Sequence, residues 1–267
     1  DAVRGPRVIT VHEYPFHTRD VRNTYSETEQ LRVIRESDAV IVHTEELKNQ
    51  LEFITDRISL IPHGVDAQRF TRDQTEARRR LGLTGPVVSH IGFLFRYKGI
   101  ETFLKATRDL PATILIVGSG PAASSIKQLA NFLAPEKFRV VPYVRDEDYP
   151  WYIAASDIVV FPRTNTKGAC SGVLVQAMAA GAAIVAYNVG CFREYLSAGA
   201  GLLVEPGNIS ALRHALYRVL DNPELRRNLG AHGQRVAREK LDWAVIAREH
   251  QRVYREVLTR FAARTAV

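Results

Sequence analysis

The stretch VVSHIGFLFRYKG, residues 87–99, decides the fold class of this 267-residue chain. Its apolar start predicts a buried strand over residues 87–91, and Gly92 permits a sharp turn after that strand. The loop that follows, residues 92–99, leads into helical spacing over residues 99–108. The next stretch, TILIVGSGP at residues 113–121, repeats the order of strand and glycine turn. Repeated units of strand and helix predict a parallel sheet covered by helices.

The same alternation extends in both directions along the chain. Residues 86–240 contain enough strands and helices for a complete doubly wound, Rossmann-like domain. Residues 1–66 contain about two strand–helix units, which predicts only the C-terminal part of a second Rossmann-like domain. The polar residues 67–85 are expected to connect the two domains. Residues 241–267 predict a helix that packs back toward the N-terminal domain.

Composition excludes several classes of protein. Hydrophobic residues make up 46% and charged residues 24% of the chain, which is typical of a globular protein and not of a disordered one. No apolar run approaches the roughly 18 residues of a membrane span. Two cysteines form no disulfide framework, so we expect a reducing, cytoplasmic setting. Because the chain begins at Asp1 and not at Met, we expect its natural start to lie elsewhere, with an N-terminal segment or a partner chain missing.

The net charge of +7 comes from the part of the chain after residue 70. Basic surface suits nucleic acid, an anionic membrane or a phosphorylated small ligand. No zinc-finger spacing, aromatic RNA-binding pattern or helix-turn-helix pairing accompanies the charge, so we predict no specific nucleic-acid partner. Arginines on one side of the last helix leave open a peripheral contact with an anionic membrane.

The loop at residues 92–99 places two cations next to a helix N-terminus. Gly92 allows the turn, while Arg96 and Lys98 bring positive charge to amides that also favour an anion. The sequence therefore suggests a diphosphate site. Ordinary basicity of a surface loop explains the pattern equally well at this point.

The segment VGSGPAA, residues 117–123, has the glycine spacing of a dinucleotide-binding turn. Gly118 and Gly120 stand in the fingerprint positions, followed by Ala123. The next strand ends in VVPYV, residues 140–144, and offers no acidic residue for the ribose of NAD. We therefore interpret the segment as a tight turn at which the backbone closely approaches some other ligand.

The segment KGACSGVLVQAMAAG, residues 167–181, contains the Gly-x-Cys-x-Gly shape of a nucleophile elbow. An elbow requires the strand to run directly into the nucleophile, whereas Pro162 and a polar stretch precede Cys170 here. The alternative is a loop of small residues whose amides, over residues 169–173, open a helix and hold a phosphate or a sugar. His12, after the first strand, is either structural or a ligand for a hydroxyl group. No residue cluster has metal-ligand spacing, so we expect no metal site.

Eight segments, in order along the chain, resemble the family 4 retaining glycosyltransferases of GT-B fold. They are VITVH, DAVIVHTEEL, IPHGVDAQRF, GFLFRYKGIETFL, LIVGSGP, AASDIVVFPR, GVLVQAMAAGAAIVAYNVG and GLLVEPGN. The resemblance implies two facing Rossmann-like domains, with a nucleotide-sugar donor held mainly by the C-terminal one and the acceptor by the N-terminal one. It also implies transfer without a metal or a protein nucleophile, in which positive groups stabilise the leaving diphosphate.

The resemblance assigns roles by position. Lys98, with Arg96 nearby, would contact the diphosphate, and His12 would face the reacting centre; these three are the predicted catalytic residues. The backbone at residues 143–144 would lie near the base, and amides over residues 170–173 would bind phosphate and sugar oxygens. The predicted donor-binding residues are Gly92, Phe93, Gly118, Gly120, Tyr143, Val144, Gly168, Ala169, Cys170, Ser171, Gly172, Val173 and Gln176.

Three positions depart from the family pattern. The two glutamates that the family places seven residues apart fall here on Gly168 and Gln176, neither of which is acidic. Gln176 is able to hydrogen-bond a ribose, but Gly168 has no side chain with which to hold sugar hydroxyls. The basic residue after the first loop glycine is replaced by Phe93, which leaves Arg96 as its substitute.

We therefore predict a retaining, metal-independent, hexosyltransferase-like enzyme of glycan or glycoconjugate biosynthesis. It would use no cofactor and would move a sugar from a UDP- or GDP-sugar to a hydroxyl acceptor. Two alternatives stay open at this point. One is a degenerate GT-B protein that binds a nucleotide-sugar or a partner without catalysis, and the other is one half of a split enzyme.

Overall fold

The computed structural model describes residues 5–14 and 26–265, which form two parallel α/β units. In its described residues, the smaller unit contains three strands and two helices. Its elements are β1 (Val8–Val11), α1 (Glu27–Glu36), β2 (Ala39–Val42), α2 (Glu45–Leu51) and β3 (Ile58–Leu60). The strands pair in the order β1-β2-β3, and all four residues of the central strand β2 are buried.

Both helices of the smaller unit begin at side-chain caps. Ser26 accepts a hydrogen bond from the Glu29 amide at 3.2 Å, while the Glu29 carboxylate accepts one from the Ser26 amide at 2.6 Å. This reciprocal arrangement satisfies two free donors at the start of α1. Thr44 caps α2 by accepting from the Leu47 amide at 3.1 Å. These caps fix the residues at which the two helices begin.

The polar stretch expected to connect the units contains two helices, α3 (Ala67–Phe70) and α4 (Gln74–Leu81). Phe70 from α3 and Ala77 from α4 are buried in a hydrophobic core of the larger unit. Residues 67–85 therefore pack as part of the larger unit and do not form a free connection.

The larger unit has six parallel strands, which pair in the order β6-β5-β4-β7-β8-β9. These are β4 (Val87–Ile91), β5 (Thr113–Val117), β6 (Phe138–Val141), β7 (Ile158–Phe161), β8 (Ala183–Tyr187) and β9 (Leu202–Val204). The helices are α5 (Ile100–Thr107), α6 (Ala123–Leu133), α7 (Tyr149–Ala154), α8 (Gly172–Ala180), α9 (Gly190–Leu196), α10 (Ile209–Leu220), α11 (Pro223–Val236) and α12 (Trp243–Thr265).

The strand order reverses at β4, which pairs with β5 on one side and with β7 on the other. In an open α/β sheet this reversal leaves a crevice beyond the carboxyl ends of the strands, where ligands bind. Strand β4 occupies the predicted residues 87–91, and β5 precedes the second glycine turn as predicted. Residues 99–108 were expected to be helical; α5 begins only at Ile100, because Gly99 has a left-handed φ of +76°.

The two chain crossings between the units lie side by side. Val65 donates its amide to the Leu241 carbonyl at 2.8 Å, and Trp243 donates its amide back to the Val65 carbonyl at 3.1 Å. A side chain at Gly64 would overlap the Trp243 ring, so the glycine is what permits this approach. The pair of crossings joins the start of α12 to the exit from the smaller unit.

Helix α12 packs on the sheet of the smaller unit. Ile246, Val253 and Val257 are buried against residues of β2 and against Ile61. Other apolar residues of this helix are exposed to solvent, with exposed fractions of 50% for Trp243 and 55% for Leu258. Within residues 5–14 and 26–265, no helix has the length and apolar character needed to cross a membrane.

Candidate functional site

A cavity of about 760 Å³ lies at the point where the strand order reverses. Residues that follow the carboxyl ends of β4, β5, β6 and β7 line it, and His12 at the end of β1 lines it from the smaller unit. The cavity therefore lies between the two units, where an open α/β sheet is expected to bind a ligand.

The loop after β4, residues 92–99 and called the β4 loop below, brings Lys98 into the cavity. A short 3₁₀ turn over Arg96–Lys98 precedes α5, and the Lys98 side chain extends toward Gly92. Burial, and then the positive charge of Arg163, lower the pKa of Lys98 to about 8. Such a shift means that the protonated amine lies where little water or negative charge compensates it.

The β4 loop packs so closely against Gly118 and Gly120 that neither position has room for a side chain. A side chain at Gly118, whose φ is +142°, would overlap the carbonyl oxygen of Gly92. At Gly120 it would come within 2.6 Å of the Leu94 carbonyl oxygen. The close approach predicted for this turn is thus an approach to another loop of the protein. Gly118 still lines the cavity, whereas Gly120 does not.

The loop after β7, residues 162–171 and called the β7 loop below, contributes Arg163, which the sequence analysis missed. Arg163 is buried, and its guanidinium lies 4.9 Å from the centre of the Tyr97 ring. Its Nε donates to the Asn165 carbonyl at 2.6 Å and its Nη2 donates to the Thr166 carbonyl at 2.9 Å. The available signal was a cation directly after a buried strand and a proline.

The remainder of the β7 loop holds the smaller unit. Thr44 donates its hydroxyl to the Gly168 carbonyl at 2.6 Å, and Thr166 donates its hydroxyl to the Glu46 carboxylate at 2.6 Å. Glu194 of α9 accepts hydrogen bonds from the first two amides of α2, at 2.8 and 3.1 Å. Gly168 is therefore buried in the contact between the units and lies outside the cavity lining.

The start of α8 presents backbone amides to the cavity. Ser171 precedes the helix without a side-chain capping bond, and residues 169–173 all line the cavity. Free amides at a helix N-terminus carry partial positive charge and favour an anion. The Ala169 amide donates to the Thr166 carbonyl at 3.0 Å, so it is not available to a ligand, and anion binding by the later amides of residues 169–173 stays a prediction.

Cys170 lies in a setting different from that of a nucleophile elbow. Its thiol lies beside the thiol of Cys191 and the hydroxyl of Tyr195, and that hydroxyl donates to the His43 carbonyl at 2.9 Å. The interaction with Cys170, together with burial, raises the pKa of Cys191 well above its usual value. Neither partner is a general base at neutral pH, so the contacts of Cys170 do not favour a nucleophilic role.

Gln176 and two residues after β6 line the opposite part of the cavity. Tyr149 donates its hydroxyl to Oε1 of Gln176 at 3.2 Å, which leaves the amide nitrogen of Gln176 as a donor. Tyr143 is 76% exposed and lines the cavity together with Val144. These groups offer a hydrogen-bond donor and an aromatic face to a bound molecule.

Three imidazole rings meet on the side of the smaller unit. His12 lies 4.8 Å from His43 and 6.5 Å from His63, measured between ring centres. Burial, followed by the charge of His63, lowers the pKa of His12. Burial also lowers the pKa of His43, to about 4, so His12 and His43 are mainly neutral at pH 7.

His90 is a second lining residue that the sequence analysis missed, because a histidine inside an apolar strand has no distinctive signal. Its ring is buried in the sheet, and its Nδ1 lies 3.2 Å from the Val160 carbonyl, to which it donates. Its Nε2 has no hydrogen-bond partner among the described residues. Burial, and then the charge of Lys98, lower the pKa of His90 to about 4.

The structure brings most of the predicted site residues together. Among the three predicted catalytic residues, His12 and Lys98 line the cavity, whereas Arg96 is exposed and lies outside the lining. Gly120 and Gly168 also lie outside it. The predicted residues that line the cavity are His12, Gly92, Phe93, Lys98, Gly118, Tyr143, Val144, Ala169, Cys170, Ser171, Gly172, Val173 and Gln176.

In the part of the chain that the structure describes, no group of three or more His, Cys, Asp or Glu side chains is arranged to hold a metal ion. The positive charge in the cavity comes from Lys98 and Arg163, together with the amides of α8. Neither cation forms an ion pair with an acidic side chain of residues 5–14 or 26–265. A cavity of this kind is suited to an anionic ligand.

Comparison with known proteins agrees with this geometry. The family model described as "Glycosyl transferases group 1" matches residues 72–236, which is more than half of the chain. The chain belongs to this family. Its two parallel α/β units, with a ligand cavity between them, fit the GT-B fold predicted from sequence.

Two curated relatives are mannosyltransferases. The phosphatidyl-myo-inositol mannosyltransferase of Mycobacterium tuberculosis is 34% identical over 224 residues, which cover 78% of this chain and 56% of the relative. The GDP-mannose-dependent monoacylated alpha-(1-6)-phosphatidylinositol monomannoside mannosyltransferase of Corynebacterium glutamicum is 28% identical and covers 70% of this chain and 53% of the relative. The chain thus matches little more than half the length of these relatives.

Among solved structures, Anabaena HepE in complex with UDP and glucose has a TM-score of 0.80 to this chain. The match covers 95% of this chain and 72% of HepE, at 20% sequence identity. Likeness at this level of identity establishes the fold alone. The fold class predicted from the sequence is thereby confirmed.

Proposed function

We propose that the protein transfers a glycosyl group, with retention of configuration, from a UDP- or GDP-sugar to a hydroxyl acceptor in glycan or glycoconjugate biosynthesis. The observation that carries the proposal is the pair of cations in the cavity, half-buried Lys98 and buried Arg163, beside the amides of α8. These groups suit a diphosphate at the place where a GT-B protein holds its donor. Family membership and the UDP and glucose found in the HepE structure support the same ligand class.

The positive groups would act on the bond that breaks. When the anomeric carbon separates from the diphosphate oxygen, negative charge grows on the leaving group. Lys98 and the α8 amides are already oriented, so they stabilise that charge without reorganising. The acceptor oxygen would bond to the anomeric carbon on the face that the diphosphate leaves, and the acceptor proton would pass to the departing diphosphate.

His12 would act on the acceptor side. It lines the cavity from the smaller unit, and its lowered pKa keeps the imidazole neutral at pH 7. A neutral imidazole both donates and accepts hydrogen bonds, which suits the binding of a hydroxyl group. Because the proposed nucleotide contacts lie on the larger unit, His12→Ala should reduce turnover far more than nucleotide affinity.

The test is a screen of UDP- and GDP-sugars in which release of the nucleoside diphosphate is measured with the intact chain. We expect release with at least one donor and loss of most of it in Lys98→Gln, because that variant removes the charge that stabilises the leaving group. Arg227→Gln is the matched control, since Arg227 is an exposed cation on α11, outside the cavity. Release that is insensitive to Lys98→Gln would contradict the proposal.

Two further measurements test the finer points. The anomeric configuration of the product, determined by NMR, should match that of the donor. Activity should persist in EDTA, because in this proposal Lys98, Arg163 and the α8 amides neutralise the diphosphate. Inversion of configuration, or activity that disappears with EDTA and returns with a divalent cation, would overturn the corresponding point.

A further inference from the structure

The cavity contains a second cation that comes from a different strand than Lys98. Lys98 enters from the β4 loop and Arg163 from the β7 loop. Their charges are close enough for Arg163 to lower the pKa of Lys98, after the larger effect of burial. Placing two like charges together in a partly buried site destabilises the ligand-free protein, and an anion between them removes that cost.

The Arg163 side chain is held rigidly in this position. Two of its nitrogens donate to the carbonyls of Asn165 and Thr166, and its guanidinium stacks near the Tyr97 ring. Nη1 forms no hydrogen bond with the described residues, so part of the donor set is uncommitted on a side chain that lines the cavity. Preorganised guanidinium groups lose little entropy when they bind phosphate oxygens.

The β4 loop offers no equivalent second cation. Phe93 stands at the position where the family pattern places a basic residue, and its ring is 65% exposed at the cavity. Arg96, the substitute expected from the sequence, is exposed in the 3₁₀ turn and does not line the cavity. The position of the missing charge is therefore not filled from its own loop.

We propose that Arg163 supplies the second cationic contact to the diphosphate, in place of the basic residue that Phe93 replaces. The proposal rests on the proposed function for the identity of the ligand, and it assigns the phosphate contact to the β7 loop. Arg163 thus contacts the diphosphate in the crevice between β4 and β7, in addition to stabilising its own loop through two backbone hydrogen bonds.

The first test measures the affinity of the intact chain for UDP, GDP and inorganic pyrophosphate by calorimetry. A charge-assisted hydrogen bond to a phosphate oxygen contributes enough that Arg163→Gln should weaken binding by about 10- to 100-fold. Arg96→Gln and the surface control Arg227→Gln should stay within about twofold of the unmodified protein. Arg163→Lys, which keeps the charge and loses the fork, should be intermediate.

The second test separates ligand contact from loop support. Affinity should fall as pH rises above about 8, where the ligand-free Lys98 loses its proton. In Arg163→Gln the pKa of Lys98 rises, so the decline should begin at a higher pH even though affinity is lower throughout. Titration of the ligand itself is common to both proteins and cancels in the comparison. Other titratable groups lining the cavity are His12, Glu13, His90, Tyr97, Tyr143, Asp146, Tyr149 and Cys170.

The outcomes distinguish this proposal from the proposed function. Unchanged affinity in Arg163→Gln, an equal loss in Arg96→Gln, or a loss without a shift of the pH decline would each overturn the role of Arg163. If pyrophosphate binds in an Arg163-dependent way while UDP and GDP do not bind, the phosphate contact stands and the nucleotide-sugar function fails. If no probe binds, both proposals fail.

Discussion

The β4 loop and the β7 loop approach the same cavity but have different tasks. The β4 loop contributes Lys98 and the Phe93 ring, and its backbone is fixed against the turn after β5. The β7 loop contributes Arg163 at its start and then, through Gly168, contacts the smaller unit. Residues of the β4 loop therefore line the cavity, whereas the β7 loop both lines the cavity and forms the contact between the units. In our proposal, Arg163 of the β7 loop therefore supplies the second positive charge that the β4 loop does not bring to the cavity.

The largest expected effect tests how firmly the β4 loop is fixed. Gly118→Ala would combine a φ of +142° with overlap of the Gly92 carbonyl, and it should cost about 3 kcal/mol or more of unfolding free energy. Gly85→Ala is the control, because Gly85 has a φ of +69° and open space around it. It should cost only about 1–2 kcal/mol. Urea unfolding measures both.

Gly168→Ala provides the comparison within the β7 loop. Its added methyl group would meet Oε1 of Gln50 and Cβ of Leu47 at 3.0 Å. The first atom is at the end of a flexible side chain, whereas the second moves only with α2, and both contacts are less severe than the overlap with backbone at Gly118. We expect its cost to lie between those of the other two glycine variants. A Gly168→Ala variant that loses as much stability as Gly118→Ala would show that both loops are equally constrained.

This comparison also shows what the sequence was able to predict. Apolar periodicity gave the strands of the larger sheet, and glycine positions marked the loops that meet at the cavity. The spacing of charged residues did not predict that Arg96 faces solvent while Lys98, two residues later, enters the cavity. The 3₁₀ turn determines these two directions, and the sequence pattern did not predict that turn. Arg163 was missed because its proposed role depends on the pairing of β4 with β7 in space, which brings together loops whose cations, Lys98 and Arg163, are 65 positions apart in the sequence (163 − 98).

The next largest expected effect concerns the positive charge of Lys98 in the β4 loop. The pKa of Lys98 is about 8 in the folded protein, against about 10.4 for an unfolded chain. Between these values the unfolded chain binds more protons, so the free energy of unfolding should rise with pH, by up to about 3 kcal/mol from this group. Lys98→Met should abolish this rise with pH, and at pH 7 its free energy of unfolding should be higher than that of the unmodified protein. Lys105→Met, at an exposed position on α5, should retain it. Urea unfolding of the unmodified protein and both variants from pH 7 to 10.5 measures this difference.

A smaller effect tests the contact that the β7 loop makes with the smaller unit. Thr44→Val removes the bond to Gly168 and the cap of α2, so it should cost about 1–2 kcal/mol of unfolding free energy. It should also weaken UDP binding, because the β7 loop carries Arg163. The matched control is Ser26→Ala, which removes a cap of similar strength from α1 in the same unit. Equal UDP affinity in the two variants would mean that the ligand and contact tasks of the loop are independent.

The smallest expected effect returns a cation to the β4 loop. Because Phe93 is exposed, an arginine there would remain largely solvated, and an ion pair of that kind contributes only about 0.2–1 kcal/mol. Phe93→Arg should therefore raise UDP affinity by at most about fivefold, and added salt should remove the gain. Combined with Arg163→Gln, it should restore only a small part of the lost affinity. The two positions differ because Arg163 is buried and held by two backbone carbonyls, whereas residue 93, whose ring lies 5.8 Å from the Lys98 amine, is exposed. Full recovery in the double variant would show that the charge alone matters and that its burial in the β7 loop does not.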